Sequence, residues 1–242
     1  MSIPGELKKV KRKTGSAIGK VIEFVGDKSS YSAQKLIHYK FNAYQPLPWI
    51  GYKTKKRQKS SFERLEEMQK HMPEGIRSAM DIGCNLGFFM LSLAEKGIFS
   101  IGVDTEPGNI NIAQYARKKA GIDNCAFTTM MVDPQNVHNL PSVDLVVFFS
   151  VWHHWLKAFG EEAAREMLKV LWSHTQKVMY FEAGEDMELR LLNMERDAFK
   201  KYLLKMLSDL ENSNVGELAE TSRGAHKAGD IKRTLYVITR KS

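Results

Sequence analysis

One short segment built around two glycines, Met80–Phe89, constrains the fold of this chain most strongly. Its apolar start predicts a buried strand, and Gly83 and Gly87 bracket a tight turn in which a chain can adopt positive φ. The residues after the turn predict a helix whose N-terminal N–H groups point back at it. A second apolar segment, Ile98–Val103, leads directly to Asp104. Strand, glycine turn, helix, strand and acid together form half of a nucleotide-binding α/β domain.

The spacing of the glycines separates two classes of nucleotide site. A dinucleotide fingerprint needs glycines spaced G-x-G-x-x-G, whereas this turn reads D-x-G-x-N-x-G from Asp81. It resembles motif I of the class I S-adenosylmethionine-dependent methyltransferases, whose commoner form is D/E-x-G-x-G-x-G. Asn85 stands where that form has its middle glycine, and asparagine tolerates left-handed backbone angles. The alternative is the glycine turn of an α/β fold that binds no ligand.

The rest of the chain predicts further β/α units. Helices are expected at 61–70, with Ser61 as the N-cap, at 109–120, at 161–173 and within 182–211. Further strands are expected at 126–132, 143–149, 177–181, 217–221 and 233–239. The last two strands, joined by a polar loop, predict a C-terminal antiparallel hairpin. We therefore expect an α/β fold with a doubly wound, mostly parallel seven-stranded sheet over residues 61–242, preceded by an N-terminal extension at 1–60.

The resemblance implies a set of cofactor contacts. Asp81 belongs to the network around the methionine end, and Asp104 would meet the ribose hydroxyls, since a carboxylate accepts two hydrogen bonds in one plane. Asp133, after the third strand, would meet the adenine amino group. Asp104 is otherwise a solvated loop acid, and Asp133 otherwise opens an Asp-Pro turn. The residues predicted to bind S-adenosylmethionine are Asp81, Gly83, Cys84, Asn85, Gly87, Asp104, Thr105, Asp133 and Ser150.

Two adjacent histidines, His153 and His154, follow the predicted fourth strand. Ligands of open α/β sheets bind at the carboxyl ends of the strands, and a histidine is a natural base for a hydroxyl acceptor. The chain has no Asp/Asn-Pro-Pro-aromatic motif after this strand, and that motif marks amino-methylating enzymes, so oxygen is favoured. The alternative is a structural pair at the head of the next helix. Trp152 and Trp155 either line the pocket or pack in the core.

The net charge of +8 and the pI of about 9.3 favour an acidic partner. Two basic clusters precede the glycine turn, and aromatic residues at 38–52 lie between them. The clusters are Lys8, Lys9, Lys11, Arg12 and Lys13, and Lys53, Lys55, Lys56, Arg57 and Lys59. We expect a cationic, aromatic rim beside the acceptor. The alternative is a solvated tail and a loop whose aromatic rings cap the core.

These patterns predict a S-adenosylmethionine-dependent methyltransferase that acts on oxygen of an anionic or sugar-like small molecule or glycan. Two alternatives stay open: an RNA methyltransferase that uses the basic clusters, and a non-catalytic binding protein of the same fold. Cys84 and Cys125 give neither a disulfide framework nor metal-ligand spacing, which fits a cytoplasmic protein. An amphipathic segment at 17–25 leaves peripheral membrane contact as a secondary interpretation. The oligomeric state is not predicted.

Overall fold

The computed structural model describes residues 45–51, 59–184, 186–222 and 232–241. Within these residues the backbone forms a seven-stranded sheet with the strand order β3-β2-β1-β4-β5-β7-β6. The strands β1 to β5 pair in parallel, and β7 is antiparallel to both of its neighbours. The strands are β1 Ser78–Ile82, β2 Phe99–Asp104, β3 Cys125–Thr129, β4 Val143–Phe149, β5 Thr175–Glu182, β6 Ser213–Ser222 and β7 Lys232–Arg240. The predicted sheet and its antiparallel hairpin are confirmed.

Six α-helices lie among the described residues. They are α1 Lys59–Lys70, α2 Phe88–Ala94, α3 Pro107–Ala120, α4 Trp152–Ser173, α5 Asp186–Leu192 and α6 Arg196–Ser208, and short 3-10 helices occur at Pro48–Ile50 and Val137–Asn139. The proline at the start of α3 and the left-handed Gly121 at its end fit the preferences of helix termini. In the part of the chain that the structure describes, no helix combines the length and apolar character needed to cross a membrane.

Several predicted boundaries were wrong, among them the start of β6, which lies at Ser213 and not at 217. α1 already includes Lys59, so Ser61 is a buried residue inside the helix and not its N-cap. β3 ends at Thr129 because its partner β2 ends opposite it at Asp104. α4 begins at Trp152, well before the predicted start at 161, and the non-helical backbone of Gly160, with a φ of 81°, divides it into two parts. Both histidines therefore lie within a helix.

The core lies on both faces of the central strands. Every residue of β4 before Phe149 is buried, as predicted for a strand covered on both sides. The Phe148 ring stacks on that of Phe181, with centroids 5.5 Å apart. Trp152 and Trp155 are both buried in this core. Of the two interpretations of these tryptophans, packing is the one that the structure supports.

The described part of the predicted N-terminal extension, residues 45–51, packs against α2. Leu47 is buried, and the Trp49 ring lies 6.1 Å from that of Phe88, between centroids. The Trp49 indole also donates a hydrogen bond to Glu95 at 2.7 Å. Trp49 thus covers the core. Both basic clusters except Lys59, the amphipathic segment at 17–25, the aromatic residues at 38–44 and 52, and the loop at 223–231 lie outside the described residues.

Candidate active site

The turn at residues 83–87, called here the glycine turn, joins β1 to α2. Gly83, Asn85 and Gly87 all have positive φ, of 77°, 52° and 80°, so the left-handed conformation predicted for Asn85 is confirmed. The backbone N–H groups of Gly83 and Cys84 both donate to the carbonyl oxygen of Val103, at 2.8 and 2.9 Å. The turn is therefore fixed to the end of β2.

The two predicted glycines face different surroundings. A β-carbon at Gly87, which is buried, would lie 2.5 Å from the ring of Phe127 on β3. A β-carbon at Gly83, which is exposed, would lie 2.6 Å from Val151 Cγ2, just after β4. Gly87 therefore serves packing between the turn and the sheet. Gly83 brings the backbone of the turn against the segment that follows β4.

A residue that the sequence patterns did not single out, Gln45, holds the start of α2. Its Oε1 accepts hydrogen bonds from the backbone N–H groups of Leu86 and Phe88, at 3.1 and 3.2 Å. The Phe88 N–H, at the first residue of α2, was expected to point back at the turn, and it is bonded to Gln45 instead. Gln45 lies 41 residues from Leu86 in the chain, so no local motif connects them.

Asp104 lies at the end of β2 and is 9% exposed. Its Oδ2 accepts a hydrogen bond from Asn85 N at 2.8 Å, and its Oδ1 accepts from Glu106 N at 2.9 Å and from Asn109 Nδ2 at 3.2 Å. A carboxylate offers about four acceptor positions, so three internal donors leave room for about one more. A ribose diol would need one of these bonds to yield before it could bind Asp104 in a bidentate manner.

Asp81, at the end of β1, is 2% exposed. Its Oδ2 has no hydrogen-bond partner among the residues that the structure describes. Burial raises the pKa of Asp81 well above its usual value, and the nearby Asp104 raises it further. A buried acceptor without a partner, placed beside the glycine turn, fits a ligand with a cationic group. S-Adenosylmethionine carries two such groups, its ammonium and its sulfonium.

The other predicted cofactor residues surround this turn with different roles. The Cys84 side chain is buried, and burial raises the pKa of its thiol well above the usual value. The backbone N–H and carbonyl of Cys84 are bonded to Val103 and Gly87. Thr105 is exposed directly after β2. Asp133 Oδ1 accepts hydrogen bonds from the N–H groups of Gln135 and Asn136, at 2.9 and 3.0 Å. The Asp133 carboxylate thus closes the Asp-Pro turn, and its predicted contact with adenine stays a prediction.

Ser150 follows β4 and has a φ of 58°, unusual for a residue with a side chain. Its hydroxyl accepts a hydrogen bond from Arg233 Nη1 at 2.6 Å, and its backbone N–H donates to the carbonyl oxygen of Glu182 at 2.7 Å. Sequence reasoning predicted Ser150 as a cofactor contact but missed Arg233 and Glu182. The position of Glu182, an acid at the carboxyl end of a predicted strand, was the one signal in the sequence that could have indicated its role.

His153 and His154 lie in the first turn of α4, with ring centroids 4.0 Å apart. The His153 side chain is 14% exposed, and its Nδ1 lies 3.5 Å from Oε1 of the fully buried Glu188. Burial alone would raise the pKa of Glu188, but His153 and the Gly184 N–H, which donates to Oε1 at 2.7 Å, bring it below its usual value. Glu188 is therefore ionised beside His153.

His154 has the more open position of the two histidines. Partial burial of its ring lowers the pKa of His154, and the adjacent His153 lowers it further. His154 is therefore neutral at neutral pH. The sequence did not indicate Glu188, which lies on α5, and it left open which histidine has a carboxylate partner.

Comparisons with known proteins match parts of this chain to methyltransferases. Residues 80–174 match the family described as "Methyltransferase domain". The O-antigen chain terminator bifunctional methyltransferase/kinase WbdD of Escherichia coli is 30% identical over 104 residues, which are 42% of this chain and 14% of that protein. An uncharacterized RNA methyltransferase of Aquifex aeolicus is 37% identical over 54 residues, 22% of this chain and 13% of that protein. This chain thus matches only a small part of each of these relatives.

Solved structures share the fold. A crystal structure of WbdD at 2.2 Å resolution aligns over 90% of this chain and 46% of that chain, with a TM-score of 0.63 and 18% identity. Magnesium protoporphyrin IX methyltransferase from Synechocystis PCC 6803, crystallised with bound S-adenosylmethionine, aligns over 88% of this chain and 99% of that chain, with a TM-score of 0.56 and 15% identity.

Proposed function

Residues 80–174 match a methyltransferase domain, and on that premise we propose that the chain is a class I S-adenosylmethionine-dependent methyltransferase. We propose that it methylates a hydroxyl oxygen of an anionic or sugar-like acceptor, with His153 as the base. The contact between His153 and the buried Glu188 at the sheet edge carries this proposal. An ionised Glu188 favours the tautomer of His153 that is protonated at Nδ1. Nε2 is then left as the atom that accepts a proton.

The cofactor supplies a methyl group on a sulfonium sulfur, where the carbon–sulfur bond can break with its electron pair passing to sulfur. Asp81 and the backbone of the glycine turn would hold its cationic end, and Asp104 and Thr105 would lie toward its ribose. The buried Asp81 oxygen without a partner supports this assignment. The acceptor must lie opposite the sulfur in line with the methyl group, because the transfer is a direct displacement.

His153 would remove the proton that an acceptor hydroxyl loses. As the hydroxyl oxygen forms its bond to the methyl carbon, the proton passes to His153 Nε2, and the imidazolium that forms is stabilised by Glu188. His153 later returns the proton to solvent. His153 Nδ1 makes no hydrogen bond among the described residues, because its 3.5 Å separation from Glu188 Oε1 is that of an ion pair. Such contacts often tighten only when substrate is bound.

The acceptor class is inferred from charge and from the names of relatives. A net charge of +8 favours an acceptor that carries negative charge. WbdD is named an O-antigen chain terminator, and that name supports the sugar-like acceptor expected from the sequence. The Aquifex relative is named an RNA methyltransferase, so RNA is the competing acceptor.

Methyl-labelled S-adenosylmethionine, offered with three sets of acceptors, tests the proposal. The sets are sugar phosphates and glycans, hydroxy acids, and RNA. We expect label in an acceptor of the first two sets, with a KM that rises with salt because the attraction is electrostatic. Label only in RNA, with a steep salt dependence from counterion release, would replace the proposed acceptor. Label in none of these sets would leave the acceptor class unsupported.

A further inference from the structure

Four side chains from distant parts of the chain meet at the carboxyl end of the sheet. Glu182, at the end of β5, is fully buried and accepts hydrogen bonds from Arg64 on α1, from Nε to Oε2 at 2.6 Å and from Nη2 to Oε1 at 3.0 Å. Arg233, at the start of β7, lies 3.4 Å from Glu182 Oε1 and donates to Ser150 Oγ at 2.6 Å. We call this group of Arg64, Glu182 and Arg233 the clamp.

The residue that the clamp holds has a strained backbone. A left-handed conformation is unfavourable for any residue with a β-carbon, and serine does not belong to the types that adopt it readily. Ser150 nevertheless has a φ of 58°. Its side chain is bonded to β7 through Arg233, and its N–H is bonded to the backbone of β5 at Glu182. Such outliers persist where the surrounding structure over-determines them, and they cluster at functional sites.

The conformation of Ser150 sets the position of the residues that follow. Val151 packs against Gly83, where a β-carbon would come within 2.6 Å of Val151 Cγ2. α4 starts at the next residue, Trp152, and carries His153 in its first turn. One backbone conformation therefore determines both the contact with the glycine turn and the place where α4 begins.

We propose that Glu182 and Arg233 are positioning residues that keep Ser150 in its left-handed conformation, and thereby fix the segment after β4 against the cofactor-binding turn. Arg64 fixes the carboxylate of Glu182 and connects α1 to the same point. The effect of the clamp on the position of His153 matters only if the function proposed above is correct. Its effect on the affinity for S-adenosylmethionine does not depend on His153 being the base. Affinity for the cofactor therefore separates the two proposals, because it can be measured without an acceptor.

Two substitutions at position 150 form a matched test. Ser150→Ala and Ser150→Gly both remove the hydroxyl that Arg233 bonds, but only glycine adopts positive φ at little cost. If only a fraction of the molecules has the conformation that binds the cofactor, the apparent affinity is reduced in proportion to that fraction. We expect isothermal titration to show affinity for S-adenosylmethionine that is about fivefold or more weaker in Ser150→Ala than in Ser150→Gly. Equal affinities of the two variants would overturn the proposal.

Arg233→Met provides the second test, because it leaves Arg64 and Glu182 as a balanced ion pair. We expect this substitution to weaken S-adenosylmethionine binding about fivefold when serine is at position 150, and to have little effect when glycine is there. An equal loss in the two backgrounds would show that Arg233 acts other than through the backbone of Ser150, and would overturn the proposal. If Arg233→Met does not fold, the Ser150→Ala and Ser150→Gly pair decides the question alone.

If the proposal for the clamp is contradicted, the proposal that His153 is the base is not affected. Variants of His153 leave the clamp residues unchanged, so we expect them to bind S-adenosylmethionine with parental affinity even if methyl transfer is lost. Loss of methyl transfer in a variant that still binds the cofactor therefore tests the role of His153. Weaker cofactor binding in Ser150→Ala than in Ser150→Gly tests the role of the clamp.

Discussion

The carboxylate of Asp104 accepts a hydrogen bond from the backbone N–H of Asn85 at 2.8 Å. The acid at the end of β2 therefore holds the turn at the end of β1, in addition to any contact with a ribose. Its second oxygen accepts from Glu106 N and Asn109 Nδ2. Removal of this carboxylate will thus affect the shape of the site as well as its ligand.

Asp104→Asn should lower both the stability and the cofactor affinity. The amide group that replaces one oxygen cannot accept from a backbone N–H, and hydrogen bonds to a charged group contribute about 1.5–3 kcal/mol. We expect the free energy of unfolding in urea to fall by about that amount. Affinity for S-adenosylmethionine should fall more than affinity for its 2′,3′-dideoxy analogue. Equal losses for the two ligands would show that Asp104 acts only through the turn. Asp133→Asn, at the turn after β3, is the matched control and should cost less stability.

Gly83→Ala should weaken cofactor binding, and Gly97→Ala provides its control. Both glycines have positive φ, so a β-carbon costs about 1–2 kcal/mol of backbone energy at either site. At Gly97 that carbon would have no neighbour within 4 Å, whereas at Gly83 it would lie 2.6 Å from Val151. We expect Gly83→Ala to be the less stable variant and to lose about tenfold in affinity, about 1.4 kcal/mol. Similar behaviour of the two variants would argue against the contact with Val151.

The raised pKa of Asp81 predicts that the stability of the protein depends on pH, and it fixes the sign of that dependence. Because the pKa of this carboxyl is higher in the folded than in the unfolded protein, its contribution to stability is fully present below the unfolded pKa of about 4. That contribution is lost as the pH rises toward the folded pKa. Urea unfolding across pH should therefore show that Asp81→Asn gains stability relative to the parent as the pH increases. A constant difference between the two proteins would contradict this.

Cofactor binding should also be linked to the protonation of Asp81. A cationic ligand favours the ionised carboxylate, so binding at a pH below the folded pKa of Asp81 releases a proton. Titration calorimetry in two buffers of different ionisation enthalpy measures this release. We expect a buffer-dependent enthalpy for the parent protein and a smaller dependence for Asp81→Asn. The same buffer dependence in both proteins would place the proton elsewhere.

The two histidines should differ in kinetics. A general base contributes about 10²–10⁴-fold to a rate, so His153→Gln should lower kcat by about 100-fold or more without changing the KM for S-adenosylmethionine. His154→Gln, at the adjacent position and with no ion pair to a carboxylate among the described residues, should retain kcat within a few-fold. Glu188→Gln should give an intermediate loss and shift the pH profile of kcat, because it alters the electrostatic surroundings of His153. Comparable losses in both histidine variants would remove the special role of His153.

Local patterns predicted what depends on neighbouring residues in the chain. The glycine turn, the apolar β4 and the hairpin of β6 and β7 all follow from periodicity and turn residues, and the structure confirms them. The start of α4 was also encoded locally, since the buried Trp152, Trp155 and Leu156 are spaced three and four residues apart. The glycine at 160 obscured this pattern because it interrupts the helix.

The side chains that complete the candidate site were not predictable in this way. Glu182 and Arg64 are 118 residues apart, and Ser150 and Arg233 are 83 residues apart. Such contacts arise only when the sheet order brings the ends of β4, β5 and β7 together. The role of Glu188 is similar, because α5 places it against the first turn of α4.

The atom that receives the methyl group is the most direct test of the proposed chemistry. S-Adenosylmethionine labelled with carbon-13 in its methyl group should give a product whose carbon NMR signal is that of an O-methyl group. We expect this signal with the parent protein and with His154→Gln, and its loss with His153→Gln under conditions in which that variant still binds the cofactor. A signal from a methyl group on nitrogen or carbon, or an O-methyl signal undiminished in His153→Gln, would contradict oxygen methylation with His153 as the base.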